Sequence, residues 1–417
     1  MPLSAYWHLL RDNRNVRLLW SAQIVSEMGD WFYSVAIFSF LIEITGSAQM
    51  VAFAFLMQVL PQVFMSPSAG VINDRISRKK VMIFADLSRA GIVLAMLLVR
   101  SAGMLWLLFL LLALETSCYA LFEPGRSATI PNVARPEQVP VANALSSATW
   151  SVVFASGAAL GGIVDVAFGR ETVFVLDSLS FVASALLIRR MHFSEPHAQD
   201  RPHLRIRELF DFRPIAEGLR YVARDRKLLA VLLVKGGVGV MGINWVILPV
   251  LGQKLFPVQL AGLTSRQAGT LGMSTFFASR GLGATIGAIL GGNFAGVNAR
   301  RLYGTILASF LMSAVGYAAL GLAGSLAFAA ATVVFSHTGG SAAWTASTTL
   351  LQQMTEDQFR GRVFSAEFAL YMLAMAISSF VAGQLLDRGA SVQMLAVATG
   401  AATLLPALAW LRWGPRR

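Results

Sequence analysis

The sequence predicts an all-α integral membrane protein of twelve transmembrane helices in two pseudo-symmetric six-helix bundles. Three observations lead to this prediction. Of the 417 residues, 56% are hydrophobic and only 13% are charged. Apolar runs of about 20 residues, long enough to cross a bilayer as a helix, recur along nearly the whole chain. The basic residues collect between alternate runs, as membrane topology requires.

One long polar stretch, Arg190 to Lys227, is rich in arginine and contains no apolar run. It divides the predicted spans six and six. We therefore expect an N-terminal bundle over residues 1–189, a cytoplasmic linker over 190–228 and a C-terminal bundle over 229–417. The spans are expected near residues 16–43, 49–72, 81–99, 104–124, 141–165, 171–189, 229–251, 267–292, 302–323, 326–352, 363–386 and 391–411.

The basic residues orient the spans. With the N-terminus in the cytoplasm, 26 of the 34 lysines and arginines fall on the cytoplasmic side and 5 fall outside. This bias predicts a multi-pass protein of the inner membrane with both termini in the cytoplasm. The formal net charge of +12 is spread over many loops rather than forming one patch, so we expect no nucleic-acid partner. The single cysteine, Cys118, excludes an intramolecular disulfide.

A weak internal repeat supports the division into halves. Shifting the sequence by 222 residues places Gly70 on Gly292, and it places Gly161-Gly-Ile-Val-Asp165 on Gly383-Gln-Leu-Leu-Asp387. Few residues match, but the offset is constant. Two parallel repeats are typical of transporters whose substrate site lies between the halves near the membrane midplane.

The loop after the second span identifies a family. It reads Gly70-Val-Ile-Asn-Asp74-Arg75-Ile-Ser-Arg78-Lys79-Lys80, and it resembles the signature loop of the major facilitator superfamily, with Ser77 where a glycine is usual. Other stretches resemble the macrolide- and enterobactin-exporter branch of drug/proton antiporters. These are Phe122-Glu-Pro-Gly-Arg-Ser-Ala-Thr-Ile-Pro131, Glu137-Gln-Val-Pro-Val-Ala-Asn-Ala144, Asp177-Ser-Leu-Ser-Phe181 and Arg360-Gly-Arg-Val-Phe-Ser365.

The resemblance implies that the signature loop is a conformational latch on the cytoplasmic side. Asp74 is expected at the N-terminus of the eleventh span near Arg362, where the helix dipole favours an anion, and Arg78 is expected to pair with Glu123. The alternative is a loop that only sets topology, in which Asp74 would have no part. The residues assigned to this latch are Gly70, Asp74, Arg75, Arg78, Lys79, Glu123 and Arg362.

Two carboxylates lie near the middle of the first span. Glu27 and Asp30 are three residues apart, so they share a helix face, and Gln23 and Ser34 extend that polar stripe. Ionisable groups at this depth are costly and mark ion pathways or proton relays. We predict that Asp30, with Glu27, carries a coupling proton or binds a cation. The structural alternative is a carboxylate neutralised by a fixed arginine.

Other charges inside the spans divide into structural and functional candidates. Asp86 and Arg89, three residues apart in the third span, are expected to form a structural ion pair. Glu115 in the fourth span and Arg280 in the eighth are expected to face the substrate cavity. The predicted fourth span contains no arginine, although many drug/proton antiporters carry one there, and Arg280 is the candidate to take its place.

Polar and aromatic side chains supply further cavity candidates. The tenth span places His337, Ser341, Thr345, Thr348 and Gln352 at helical spacing, with Trp344 beside them. His337 is also explained by packing, because a lone intramembrane histidine often only completes a hydrogen bond. The remaining predicted cavity residues are Trp245 in the seventh span and Gln58 in the second.

These observations predict a secondary transporter that exports an amphiphilic drug-like compound or siderophore by alternating access, with protons as the coupling ion. The chain shows no phosphate-binding loop, metal-ligand cluster or catalytic triad, so no enzyme activity, metal or cofactor is expected. A lysophospholipid flippase of the same fold is the alternative; a membrane-embedded enzyme or a non-transporting sensor is the alternative of another class. A monomer surrounded by membrane lipid is expected. Acidic cavity groups suit a cationic substrate, and Arg280 and His337 suit an anionic one.

Overall fold

The computed structural model describes residues 3–195, 211–296 and 298–414, and within these ranges it is built of helices and loops without a β-strand. The helices are α1 (Leu3–Asp12), α2 (Arg14–Thr45), α3 (Ala48–Arg75), α4 (Arg78–Met96), α5 (Leu105–Val133), α6 (Val139–Phe168), α7 (Arg170–Arg189), α8 (Arg213–Ala223), α9 (Arg226–Gly239), α10 (Asn244–Val250), α11 (Ser265–Ala295), α12 (Ala299–Gly321), α13 (Leu326–Met354), α14 (Asp357–Asp387) and α15 (Val392–Trp413).

The long helices match the predicted spans in order. Ten of the segments in the described ranges are long and apolar enough to cross a membrane, which confirms the all-α membrane fold. The other two predicted spans fall on α4 and α11, which are helical but less apolar. α4 carries Asp86 and Arg89 near its middle, and α11 is rich in glycine, serine and threonine around Arg280.

The contacts between Cα atoms group the chain into two compact units. The first contains residues 1–37 and 57–211, and the second contains residues 38–56 and 212–417. The end of α2 and the start of α3 therefore group with the second unit. The predicted bundle boundaries at 189 and 229 stay predictions.

Close helix packing in the first unit depends on glycine. A Cβ atom at Gly161 of α6 would lie 2.7 Å from the Cα of Phe32 on α2, closer than such atoms approach one another in proteins. Without a side chain at this position, the two backbones can touch. The packing fixes α2 beside α6 and thereby orients the polar stripe of α2.

The seventh predicted span is broken in the structure. α9 is followed by a 3₁₀ turn over Val240–Ile243, by the short helix α10 and by one π turn over Leu251–Leu255. Glycines at 236, 237, 239 and 242 and Pro249 weaken a regular helix here. Such irregular turns inside helices often occur at functional sites.

The predicted linker contains a helix of its own, α8, and part of the stretch before it lies outside the described residues. α8 packs on α14, where Gly218 is in direct contact with the backbone of Arg362. Tyr221 stacks on Phe359 with 4.3 Å between the ring centroids. The end of the linker is thus fixed to the beginning of α14.

Candidate functional site

Arg89 is the centre of a buried charge cluster in the first unit. Its Nε donates a hydrogen bond to Oε1 of Glu115 at 2.6 Å, and its Nη2 donates to Asp30. The nearest oxygen of Asp86 lies 3.8 Å from Nη1. Tyr33 donates a further hydrogen bond to Oε2 of Glu115 at 3.0 Å. The cluster joins α2, α4 and α5 through a single guanidinium group.

The cluster has more potential negative charge than positive charge. Three carboxyl groups surround one arginine, and the Arg89 side chain is only 1% exposed. Buried ions without a partner are very costly, so the charge state of each carboxyl group affects the stability of the cluster. The Asp30 side chain is 20% exposed, against 3% for Glu115, which makes Asp30 the accessible end of the cluster.

The sequence placed these residues in separate roles. Asp86 and Arg89 do face each other, but Arg89 lies closer to Glu115 and Asp30 than to Asp86. Glu115 was expected to line a cavity, and the structure instead buries it behind Tyr33. The predicted fourth span contains no arginine, and Glu115 is instead paired with Arg89 of α4. The reason is that α4 and α5 pack closely, which sequence spacing does not reveal.

Glu27 belongs to a second polar cluster on the same helix. Its Oε1 accepts a hydrogen bond from Nε2 of Gln23 at 2.9 Å. The Oε1 of Gln23 accepts in turn from Arg126 at 3.0 Å, and Arg126 also donates to Ser146 at 2.6 Å. Arg126 forms a two-point ion pair with Glu123. Glu27 is itself buried, and its Oε2 has no hydrogen-bond partner in the described part of the chain.

Arg126 was missed as a site residue because the fourth span was expected to end at residue 124. The structure continues α5 to Val133 and buries Arg126. The spacing of three residues between Glu123 and Arg126 was the available signal, since such residues are neighbours on a helix. Arg126 thus connects Glu123 of α5 to the polar stripe of α2.

The signature loop makes its contacts within the first unit. Arg78 donates to the carbonyl oxygen of Ala128 at 2.7 Å and to Oδ1 of Asn132 at 3.0 Å. Asp74 lies 3.8 Å from Arg78 and has a side chain that is 70% exposed. The expected pair between Arg78 and Glu123 is replaced by the pair between Glu123 and Arg126, because those two share one helix face. The predicted contact between Asp74 and Arg362 stays a prediction.

Ser77, which replaces the usual glycine, has a structural role. Its hydroxyl group caps the N-terminus of α4 by accepting from the Lys80 amide, and it donates to Oε2 of Glu195 at 2.5 Å. Lys79 donates to the carbonyl oxygen of Met191 at 2.6 Å. These bonds fix the loop to the segment that follows α7.

The remaining latch residues differ in their surroundings. A Cβ atom at Gly70 would meet open space among the described residues, so no helix packs closely on this glycine there. Arg75 is the last residue of α3. Arg362, near the start of α14, forms an ion pair with Glu217 of α8 at 3.1 Å. In the second unit, therefore, the linker helix holds Arg362.

Arg280 and Trp245 meet in the second unit. The guanidinium carbon of Arg280 lies 3.8 Å from the centre of the Trp245 ring, a cation–π contact. Trp245 also stacks on Phe55 at 4.7 Å and lies 5.7 Å from the Phe277 ring. Two residues predicted independently for the cavity thus form one group.

The other predicted cavity residues have local partners. His337 and the hydroxyl group of Tyr317 are 3.2 Å apart, which fits the packing alternative stated for this histidine. The carbonyl oxygen of Gln58 accepts from the side chain of Gln62 at 2.7 Å. No cluster of histidine, cysteine, aspartate or glutamate in the described ranges has the arrangement of a metal site.

A buried ion pair in the second unit was not predicted. Nζ of Lys235 on α9 donates to Oε2 of Glu367 on α14 at 2.7 Å. The same ammonium group lies 4.0 Å from the centre of the Trp344 ring. The structure leaves Lys235 only 4% exposed. The available signal was a base in the seventh predicted span and an acid in the eleventh.

Comparison with known proteins identifies similar chains. A family model described as transmembrane secretion effector matches residues 5–414. Macrolide efflux protein A of Streptococcus pyogenes is 26% identical over 374 residues, which cover 89% of each chain. Macrolide efflux protein A of Enterococcus faecalis is 26% identical over 336 residues, which cover 80% of this chain and 99% of the relative. The uncharacterised transporter YkuC of Bacillus subtilis is 28% identical over 228 residues, about half of either chain.

Solved structures with the same fold have little sequence in common with this chain. The nucleoside transporter NupG superposes with a TM-score of 0.74 at 11% identity, covering 95% of this chain and 99% of that one. A bacterial homologue of the lysosomal transporter Spinster, inward-facing and occupied, superposes with a TM-score of 0.73 at 13% identity, covering 95% of each chain. At such identities the likeness concerns the fold alone.

Proposed function

Since this chain belongs to the transmembrane secretion effector family within the major facilitator superfamily, and is therefore a multi-pass membrane transporter, we propose that it exports an amphiphilic organic compound in exchange for protons. The relatives named macrolide efflux proteins support export as the direction. The substrate we propose is a drug-like molecule with one polar end, such as a macrolide-like compound or a siderophore. We propose that the protein lies in the inner membrane, with both termini in the cytoplasm.

The observation that carries the proton coupling is the cluster around Arg89. Asp30 is bound to Arg89 but remains partly exposed, whereas Glu115 is buried behind it. A proton on Asp30 would cancel one of the charges that hold Arg89, and the guanidinium group would then bind Glu115 and Asp86 alone. Protonation thus changes how α2 is held against α4. A transporter needs such a link between protonation and helix position to couple the movement of protons to the movement of its substrate.

The second cluster extends this pathway along α2. Glu27 is one turn from Asp30 and faces Gln23, which connects it to Arg126. We propose that Glu27 is the next group to hold the proton after Asp30. Arg126 is bound to Glu123, so its positive charge has a carboxylate partner whether or not Glu27 holds the proton.

The signature loop and the aromatic groups of the second unit complete the proposal. Asp74 and Arg362 are proposed to meet when the cytoplasmic side closes, which requires Arg362 to leave Glu217. Trp245, Arg280, Trp344 and His337 are proposed to contact the cargo. A flippase acting on lysophospholipids, and a sensor without transport activity, are outcomes that the following experiment separates from export.

The test uses the purified protein in lipid vesicles with an imposed pH gradient. We expect accumulation of a macrolide, which stops when an ionophore collapses the gradient. Asp30→Asn should abolish this accumulation but leave exchange of labelled for unlabelled macrolide, because exchange needs no net proton movement. Asp12→Asn, at the exposed end of α1, is the matched control.

Three results would contradict the proposal. Undiminished gradient-driven accumulation by Asp30→Asn would remove Asp30 as the proton carrier. Lysolipid movement that ignores the gradient, with no macrolide transport, would favour the flippase. Absence of any movement of either substrate by folded protein would favour a sensor.

A further inference from the structure

The pair formed by Lys235 and Glu367 needs an explanation beyond stability. Both side chains are buried, with 4% and 1% of their surface exposed. Removing two charges from water costs about as much as their attraction returns, so an apolar pair of the same size would be as stable or more stable. Lys235 lies nine residues after the start of α9, about 14 Å along the helix axis. The chain therefore maintains an ammonium group deep inside the second unit at no gain in stability.

The surroundings of that ammonium group are those of a binding site for organic cations. Trp344 offers its ring face at 4.0 Å, and Phe364 lies at 5.8 Å. The ring centroids of Tyr371 and Trp344 lie 4.8 Å apart, with the two rings nearly perpendicular. A carboxylate beside aromatic faces is the combination that recognises alkylated ammonium groups. Trp344 and Tyr371 are partly exposed, whereas Lys235 and Glu367 are buried.

Glu367 has binding capacity that the lysine does not use. Its Oε2 accepts from Lys235, while its Oε1, although buried, has no hydrogen-bond partner in the described part of the chain. An ionised carboxylate can accept several hydrogen bonds. This oxygen is available to accept a hydrogen bond from a ligand.

Lysine is suited to be exchanged for another cation. Its compact charge is carried on a flexible four-carbon stem, so the ammonium group can move without movement of the helix. When one cation replaces another beside Glu367, the number of charges in the site stays the same. Glu367 therefore keeps a cationic partner, and the cost of leaving a buried carboxylate unpaired is avoided.

We propose that Glu367, Trp344 and Phe364 form a binding site for the protonated amine of an amphiphilic substrate, and that Lys235 occupies this site until the substrate displaces it. A tertiary ammonium group has one N–H to donate to Glu367 and carbon substituents to place on the Trp344 ring. This inference rests on the proposed export of an amphiphile, and it decides between the cationic and anionic substrates that the sequence left open.

The test is equilibrium binding to the purified full chain in lipid nanodiscs, without any gradient. The probes are a macrolide with a dimethylamino sugar and an analogue in which an acetyl group replaces one N-methyl group, so that the nitrogen is a neutral amide. The wild-type protein should bind the amine at least about tenfold more tightly than the neutral derivative, the factor expected from a desolvated cation–π contact and a charge-assisted hydrogen bond. Glu367→Gln should remove this preference while leaving affinity for the neutral derivative unchanged.

Two further variants guard against misfolding. Lys235→Met combined with Glu367→Gln leaves no unpaired buried charge, and it should fold and also lose the preference. Lys235→Gln alone removes the competing ammonium group, and it should tighten binding of the amine. Glu171→Gln, at the exposed start of α7, is the matched control and should behave as wild type.

Equal binding of the two probes by the wild-type protein would overturn the inference, as would a preference that survives in both variants lacking Glu367. The result is independent of coupling, because binding is measured at equilibrium. Proton-driven export with no preference for the amine would refute this site and leave the proposed function standing. A Glu367-dependent preference without proton-driven export would support the site and refute the proposed coupling.

Discussion

Replacing Arg89 by methionine tests whether the charge cluster stabilises the first unit. The arginine binds Glu115 at 2.6 Å and also Asp30, with only 1% of its side chain exposed. Removing one partner of a buried ion pair costs about 3–5 kcal/mol, because the other charge is left unpaired. For a unit of this size, each kcal/mol lowers the melting temperature by about 2–4 °C, so Arg89→Met should melt about 6–20 °C lower than wild type.

The chain offers a convenient assay for this change. Cys118 is the only cysteine, and it lies on α5 in the first unit, partly buried. A dye that fluoresces on reaction with thiols therefore reports the unfolding of this unit during a temperature ramp. Arg100→Met, which removes an exposed arginine, is the matched control.

A neutral cluster gives the decisive comparison. Combining Arg89→Met with Asp30→Asn, Asp86→Asn and Glu115→Gln removes the charges that would be left unpaired, and it should recover most of the lost stability. The reasoning would be refuted if Arg89→Met melted within about 2 °C of wild type. It would also be refuted if the combined variant melted as low as the single one.

Further predictions concern the signature loop and the helix packing. Ser77→Gly, which restores the usual family residue, should lower the free energy of unfolding by about 1–2 kcal/mol, because the cap of α4 and the bond to Glu195 are lost; chemical denaturation measures this. Gly161→Ala should cost about 1–3 kcal/mol, since its Cβ forces the backbone of Phe32 to move; the thiol melt detects it, and an unchanged melt would show that α2 can shift freely. Asp74→Asn should slow turnover in vesicles but spare the affinity for cargo; loss of affinity alone would indicate a binding role instead.

The helical membrane fold was predictable because it depends on properties that a single sequence displays. Span length, the distribution of arginine and lysine, and the signature loop each act locally or through the bilayer. The family match and the helices of the structure confirm this part. The sequence also selected Asp30, Glu115 and Arg89 as unusual, since charge at membrane depth is visible without knowing the contacts.

The partners of those charges were not predictable. Arg89 is 59 residues from Asp30 and 26 from Glu115, and only the packing of three helices shows that one guanidinium group serves both. Lys235 and Glu367 are 132 residues apart, and each looked unremarkable alone. Arg126 was lost for a different reason, because α5 continues beyond the apolar run that marked its span. Span ends read from hydropathy place such residues in loops when they are in fact buried.

The 3₁₀ turn over Val240–Ile243 changes which side of the seventh span its aromatic group faces. In a regular α-helix, the ten steps from Lys235 to Trp245 would leave the two side chains about 80° apart around the axis. Four steps of about 120° in place of 100° remove that difference and bring both to one side. A substitution that turned this segment into regular α-helix would leave Lys235 in place and rotate the Trp245 indole away from it around the helix axis. The 3₁₀ turn therefore sets the angle between the Lys235 and Trp245 side chains.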